Sequence, residues 1–317
     1  MLRRTFLAAT FALGAALSAH AAEGPRVVAT FSILGDIVKN VGGERISLTT
    51  LVGPNGDAHV YAPSPQDAKA LADAKVVFTN GLKFEGWIDR LVKASGTKAS
   101  VVEAARAVKP MEAGEEEEGH ASHEHGHDDH KDHADHSGHD HGTLDPHAWQ
   151  SVSNARLYVA AIRDGLVAAD PEGRAAYEAN ATAYLAELDR LDADVKQAID
   201  KIPEADRRII TSHDAFGYFA QAYGLTFIAP QGISTEAEAS ARDVAALIKQ
   251  IKAEKAKAVF VENIADARLI EQIGRETGVT VGGTLYSDAL SDATGPAGTY
   301  IGMMRHNIKA LSAALSS

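Results

Sequence analysis

From residue 26 onward, short runs of β-branched and aliphatic residues alternate with longer stretches whose apolar positions recur every three or four residues. The first pattern reads as strand and the second as amphipathic helix. In the first part of the chain this predicts strands at 27–30, 47–52 and 76–79, with helices at 33–41, 65–74 and 86–94. Ser64 stands where an N-cap belongs. Pro65 follows at the first helical position, where its fixed φ suits the helix and its missing N–H is not needed. The same alternation returns later, with strands at 209–211, 226–228, 258–261 and 280–283. Helices at 215–223, 241–254 and 267–277 separate them, and a helix at 300–315 closes the chain. Strands divided by helices imply βαβ units and parallel sheets. The expected fold class is therefore α/β, as two small parallel-sheet lobes.

The stretch between the lobes keeps helical periodicity from 172 to 201. Tyr177, Tyr184, Leu188, Leu191 and Val195 fall on one face, and there is no Gly or Pro after Gly173. Asp170-Pro171 marks its start and Pro203 its end. About 30 helical residues span roughly 45 Å. One long rigid helix joining two lobes restricts hinge motion; an interrupted helical hairpin is the alternative. The expected division is an export signal at 1–22, an N-terminal lobe at 23–150, a linker region at 151–204 and a C-terminal lobe at 205–317.

Two segments fit neither pattern. At the N-terminus, Arg3 and Arg4 precede an apolar run at 6–17 that is short for a membrane span, and Ala19-His20-Ala21 is a small-x-small cleavage site. This reads as a cleaved export signal, of either the general secretory or the twin-arginine kind. Residues 113–142 are an acidic run followed by a His/Asp tract with no apolar periodicity, expected as a disordered loop inserted in the first lobe.

Composition narrows the function. A chain of 317 residues suits about two domains. A formal net charge of −12, with much of the acidic excess in 115–140, leaves no basic surface for nucleic acid. Cysteine is absent, which removes disulfides, thiolate ligands and a lipid-modified cysteine. The expectation is a monomeric protein diffusing in the periplasm without a lipid anchor. Any metal site must be built from His, Asp and Glu.

Outside the tract and the signal, the histidines are His59, His147, His213 and His306. His59 and His213 lie on loops after predicted strands, and His147 in a Pro-stiffened turn before a helix. Ligands of open α/β sheets bind beyond the carboxyl ends of strands, where such loops gather. Asp288, just past the last strand, is a fourth candidate. Three imidazoles and one carboxylate complete a tetrahedral zinc shell of net charge +1. Imidazole-rich donors suit zinc, and more carboxylate would favour manganese. Taken one at a time, each histidine reads more readily as a surface residue or helix-cap partner than as a ligand. His306, on the last helix, is left out on that ground. Spacing alone leaves the site open.

Four motifs add weight together: Gly56-Asp57-Ala58-His59-Val60-Tyr61-Ala62-Pro63-Ser64-Pro65, Asp145-Pro146-His147-Ala148-Trp149, Thr211-Ser212-His213-Asp214-Ala215-Phe216-Gly217-Tyr218-Phe219 and Leu285-Tyr286-Ser287-Asp288-Ala289-Leu290-Ser291. Through them essentially the whole mature chain resembles the zinc- and manganese-binding solute receptors of ABC importers, the ZnuA/TroA-like cluster. The resemblance implies two lobes joined by one long helix, with the metal in the interlobe cleft. His59 and His147 would bind from the first lobe, and His213 and Asp288 from the second. Manganese members of the family tend to carry Glu where this chain has His213, so the zinc branch is expected. Some zinc members with a His-rich loop lack the Asp and leave its position to water or another carboxylate, so Asp288 makes this chain resemble the Asp-containing zinc subgroup. Glu262, at a strand end, is a candidate carboxylate behind the ligands or a simple strand-end carboxylate.

The tract itself supplies His120, His123, His125, His127, His130, His133, His136, His139 and His141. Such a segment offers weak, exchangeable metal sites, because each binding event must order chain. It would gather zinc for the cleft or sense its abundance; the plain alternative is a solvated loop. The leading functional reading is a receptor that captures Zn²⁺ and delivers it to an inner-membrane permease, with a periplasmic metallochaperone as a further partner. A zinc buffer working through the tract and a manganese receptor are the alternatives. A zinc hydrolase is disfavoured, since Asp288 would fill the open position that a catalytic water needs.

Overall fold

The computed structural model describes residues 24–112, 144–236, 240–254 and 256–315. The expected export signal and the His tract lie outside the described residues. Two four-stranded sheets form the two lobes. The first has strands β1 (Arg26–Phe31), β2 (Ser47–Val52), β3 (Val76–Thr79) and β4 (Ser100–Glu103) in the order β2-β1-β3-β4. The second has β5 (Arg208–Ile210), β6 (Thr226–Ile228), β7 (Ala258–Glu262) and β8 (Thr280–Leu285) in the order β6-β5-β7-β8. Every pairing is parallel. Each sheet thus reverses its winding once, between β1 and β3 and between β5 and β7. Crevices that accept ligands open at such points, beyond the strands' carboxyl ends.

Helices α1 (Ser32–Gly42), α2 (Pro65–Asp73) and α3 (Ile88–Ser95) belong to the first lobe, α4 (Val152–Ala169) and α5 (Arg174–Ile199) follow it, and α6 (Gly217–Tyr223), α7 (Ala241–Glu254) and α8 (Ala267–Thr277) belong to the second, with α9 (Tyr300–Leu315) last. The start of α2 follows the sequence expectation. Ser64 accepts from the N–H of Asp67 and the Asp67 carboxylate accepts from Ser64 N at 2.6 Å, a reciprocal capping box with Pro65 in the first turn. Such a cap stabilises a helix by about 1 kcal/mol. Strand β4 was not anticipated. It buries only one of its four side chains and so shows no apolar run.

The linker is a pair of helices. Helix α4 (Val152–Ala169) ends at Asp170, a 3-10 turn spans Pro171–Gly173, and α5 (Arg174–Ile199) then runs unbroken for 26 residues. The expected long helix therefore starts two residues late. Asp170 leaves helical geometry, and its carboxylate accepts from Arg45 Nε at 2.6 Å and from the Tyr177 hydroxyl at 2.8 Å. The predicted face of α5 is the buried one: Tyr177, Tyr184, Leu188, Leu191 and Val195 all face the core. Each large apolar side chain so buried stabilises by about 1.5–3 kcal/mol. Helix α5 packs on α1 of the first lobe and on the C-terminal helix α9 (Tyr300–Leu315).

One apolar core runs through both lobes, from Val27 and Phe78 through Trp149 and Tyr177 to Leu285 and Met303. A smaller cluster of Ile210, Leu247, Ile251, Val259, Ile270 and Ile273 lies between the second sheet and α7 and α8. Among the described residues, no helix is long and apolar enough to cross a membrane.

Candidate metal centre

His59 sits on the loop between β2 and α2, His147 in the turn ahead of α4, His213 just past β5 and Asp288 just past β8. The chain positions the two first-lobe histidines by the same local device. Asp57 Oδ1 accepts the N–H of His59 at 2.9 Å, and Asp145 Oδ1 accepts the N–H of His147 at 2.8 Å. Each is an Asx-type turn, in which a carboxylate caps the N–H two residues on. His213 is held differently. Glu262, at the end of β7, accepts both Ser212 N at 2.7 Å and His213 N at 2.9 Å through Oε1.

These supports bring four side chains to one point. Their ligand atoms all lie within 4.8 Å of one another. His59 Nε2 is 3.3 Å from His147 Nε2 and 3.2 Å from Asp288 Oδ2. His213 Nε2 is 3.1 Å from Asp288 Oδ2, and His147 Nε2 is 3.6 Å from Asp288 Oδ1. Donors arranged tetrahedrally around zinc at 2.0–2.1 Å stand about 3.3 Å apart. The four separations fit a small divalent cation at the common centre. His147, His213 and Asp288 are fully buried and His59 is 7% exposed. Of the four, only His59 borders the cleft of about 1800 Å³ between the lobes, which Tyr61, Trp87, Phe227 and Gln231 also line.

Carboxylates behind the imidazoles set their orientation. Asp145 Oδ1 lies 2.8 Å from His147 Nδ1, and Glu262 Oε2 lies 2.7 Å from His213 Nδ1, the latter an ion-pair contact rather than an aligned hydrogen bond. A carboxylate on Nδ1 keeps the proton there and leaves the Nε2 lone pair for a metal. Burial pulls the His147 imidazole toward neutrality, but Asp288 and Asp145 outweigh it and push its pKa up to about 9. His213 is likewise raised well above the ordinary value, with Glu262 and Asp288 overcoming burial. Asp288 is driven well below the usual carboxylate range by His147 and His213, against its own burial. Burial dominates at His59, whose pKa is lowered. A dication would take the place of these protons.

All four candidates read from the sequence meet in space, and Glu262 lies directly behind one of them. His306 lies apart, with Nε2 3.0 Å from Thr284 O. The sequence motifs do not single out Asp145 as a site residue; its signal is the Asp-x-His spacing shared with Asp57. Phe84, whose ring stands edge-on to His59 at 4.7 Å, carried no signal at all. Nor did the bonds from Trp149 Nε1 and Gln150 Nε2 to Ser287 O, at 2.9 and 2.7 Å, that hold the Asp288 loop against the first lobe.

Comparison with known proteins bears on this geometry. The family model for ZnuA, zinc-uptake complex component A, periplasmic, matches residues 27–314. The manganese-binding lipoprotein MntA of Halalkalibacterium halodurans is 34% identical over 294 residues, covering 93% of this chain and 89% of its own length. The iron ABC transporter substrate-binding lipoprotein MtsA of Streptococcus pyogenes is 31% identical over 299 residues, covering 92% and 89%. The solved structure of the periplasmic zinc binding protein TroA from Treponema pallidum matches with a TM-score of 0.80 at 31% identity, over 92% of this chain and 99% of that one.

The metals named differ among these relatives, so likeness supports a divalent-metal receptor and not the zinc branch in particular. One expectation is overturned. The sequence was read as a protein free in the periplasm with no lipid anchor, whereas the relatives are named lipoproteins. That reading rested on the missing cysteine alone, and membrane attachment depends on processing chemistry that the shared fold does not report. The chain belongs to the ZnuA/TroA-like family of periplasmic metal-binding receptors that serve ABC transporters, a family that binds and delivers metal rather than catalysing a reaction.

Proposed function

We propose that this receptor is selective for zinc, binding one Zn²⁺ through His59, His147, His213 and Asp288 and releasing it to the permease of an ABC importer. The observation that carries the reading is the donor set: three imidazole Nε2 atoms and one carboxylate, buried and all within 4.8 Å of one another, with four of the contacts at 3.1–3.6 Å. Three nitrogen donors in a closed four-ligand site suit zinc, whereas manganese prefers more oxygen donors and a larger coordination number. Glu262 and Asp145 act as the carboxylates that hold His213 and His147. The protein works as a monomer, and a metallochaperone is a further candidate partner.

A manganese receptor is the second reading, favoured by the MntA relatives. The His tract from His120 to His141 adds weak sites that gather zinc for the cleft. A buffer acting through the tract alone would not need the buried constellation. Competition titration of protein lacking residues 115–141, with zinc, manganese and iron(II), separates these readings. One tight zinc not displaced by manganese supports the selective receptor. Preference for manganese gives the second reading, and loss of every tight site gives the buffer.

A further inference from the structure

The four donors do not explain how His59 and His147, 88 residues apart in the chain, are kept with their Nε2 atoms 3.3 Å apart. The segment after β3 touches both of their loops. There the backbone makes a left-handed turn, with φ of 85° at Gly81, 54° at Leu82 and 63° at Lys83. Leu82 and Lys83 are two of the three non-glycine residues with positive φ among those described. Side chains with a Cβ rarely adopt this conformation, and it persists only where the surroundings over-determine it.

Here a buried polar network does so. Glu85 folds its carboxyl back over the turn, accepting from Asn80 N at 2.7 Å and from the Thr30 hydroxyl on β1. The Asn80 amide is fully used: Oδ1 accepts from the Tyr158 hydroxyl, and Nδ2 donates to Gly81 O and Pro146 O, both at 2.9 Å. Two residues past Glu85, Trp87 Nε1 donates to Ala58 O at 2.8 Å. Pro146 and Ala58 are the residues immediately before His147 and His59. Between the two bonds stands the Phe84 ring, with centroid distances of 4.7 Å to His59 and 6.0 Å to His147.

We propose that residues 80–87 form a positioning strut, in which Asn80 and Trp87 hold the carbonyls that precede the two first-lobe histidines and so set the spacing of those imidazoles. The inference rests on the reading that His59 and His147 bind the metal. A carbonyl one residue upstream shares the peptide unit of the histidine, so freeing it lets the imidazole rotate away from its partner. Asn80 and Trp87 are positioning residues, and neither is among the four donors.

Trp87→Phe in the full chain keeps an aromatic ring but removes the donor to Ala58 together with part of the buried indole. Tyr158→Phe frees Asn80 from behind without removing a ring, and is read the same way if Trp87→Phe fails to fold. Three quantities are measured: metal-free melting temperature, zinc affinity by chelator competition, and the visible d–d spectrum of the cobalt(II) form. The expected result is a folded variant with zinc affinity about tenfold weaker, in the range for groups that orient metal ligands, and an altered cobalt spectrum. A purely structural role would lower the melting temperature and leave the affinity of the folded protein and the cobalt spectrum unchanged; that result overturns the strut. Failure of the unsubstituted protein to bind zinc or cobalt tightly would instead overturn the metal site, and the strut with it.

Discussion

Glu262 holds His213 at two points: its Oε1 accepts the histidine's backbone N–H at 2.9 Å, and its Oε2 lies 2.7 Å from Nδ1. One side chain from the end of β7 thus sets both where the imidazole starts and which nitrogen faces the centre. Asp145 does the same for His147 with a single oxygen. Both histidines are fully buried.

Glu262→Gln keeps an acceptor for the backbone N–H groups and removes the charge beside Nδ1. Zinc affinity should fall about 10- to 100-fold, as for other groups that orient a ligating histidine. Competition titration checks this, and an unchanged affinity would remove Glu262 from the site's machinery.

Asp288→Asn removes the one anionic donor and should cost more, on the order of 100-fold or about 2.7 kcal/mol. The gain in melting temperature on adding zinc should shrink in step, because a ligand stabilises the folded state by RT ln(1 + [L]/Kd). Differential scanning calorimetry with and without zinc reads this directly.

Metal capture should release protons. With His147 pushed up to about 9, its imidazole carries a proton at neutral pH in the metal-free protein, and zinc must displace it. Affinity therefore rises with pH until that value is passed. For stability the sign is the reverse. A raised imidazole contributes fully below its unfolded value of about 6.5, and that contribution is lost as pH climbs through about 9. Calorimetric titration at pH 7.5 in buffers of different ionisation enthalpy should show net proton release on zinc binding.

Glu85 supplies a separate pH dependence. Burial, opposed by the bonds from Asn80 and Thr30, pushes its carboxyl up to about 7. In the folded protein it stays protonated from its ordinary value of 4.5 up to about 7. Its contribution to stability is present at low pH and lost as pH rises through 7. Between pH 5 and 8, Glu85→Gln should flatten the fall in metal-free melting temperature; identical slopes for the two proteins would contradict this.

Much of the scaffold was legible along the chain, because strands and helices show themselves in local periodicity. The buried stripe of α5 and the Ser64-Pro65 start of α2 are properties of consecutive residues, and a chain met in isolation displays them. The two Asp-x-His turns are local as well, since each carboxylate reaches only two residues along its own backbone. Strand β4 escaped although β5 and β6 are shorter, because it buries only one of its four side chains and so shows no apolar run. The start of α5 falls two residues later than expected because Pro171–Gly173 form a 3-10 turn, and apolar periodicity does not distinguish such a turn from the first turn of an α-helix. Four polar residues from His59 to Asp288, of which each histidine alone reads more readily as a surface turn than as a ligand, acquire meaning only when two sheets stack their carboxyl ends around one crevice. The same holds for Glu262 behind His213 and for Asn80 and Trp87 behind the other two histidines. Their partners are chosen by distance in space, which sequence spacing does not encode. Periodicity reports which face of an element is buried; only the packed tertiary structure decides what lies against it.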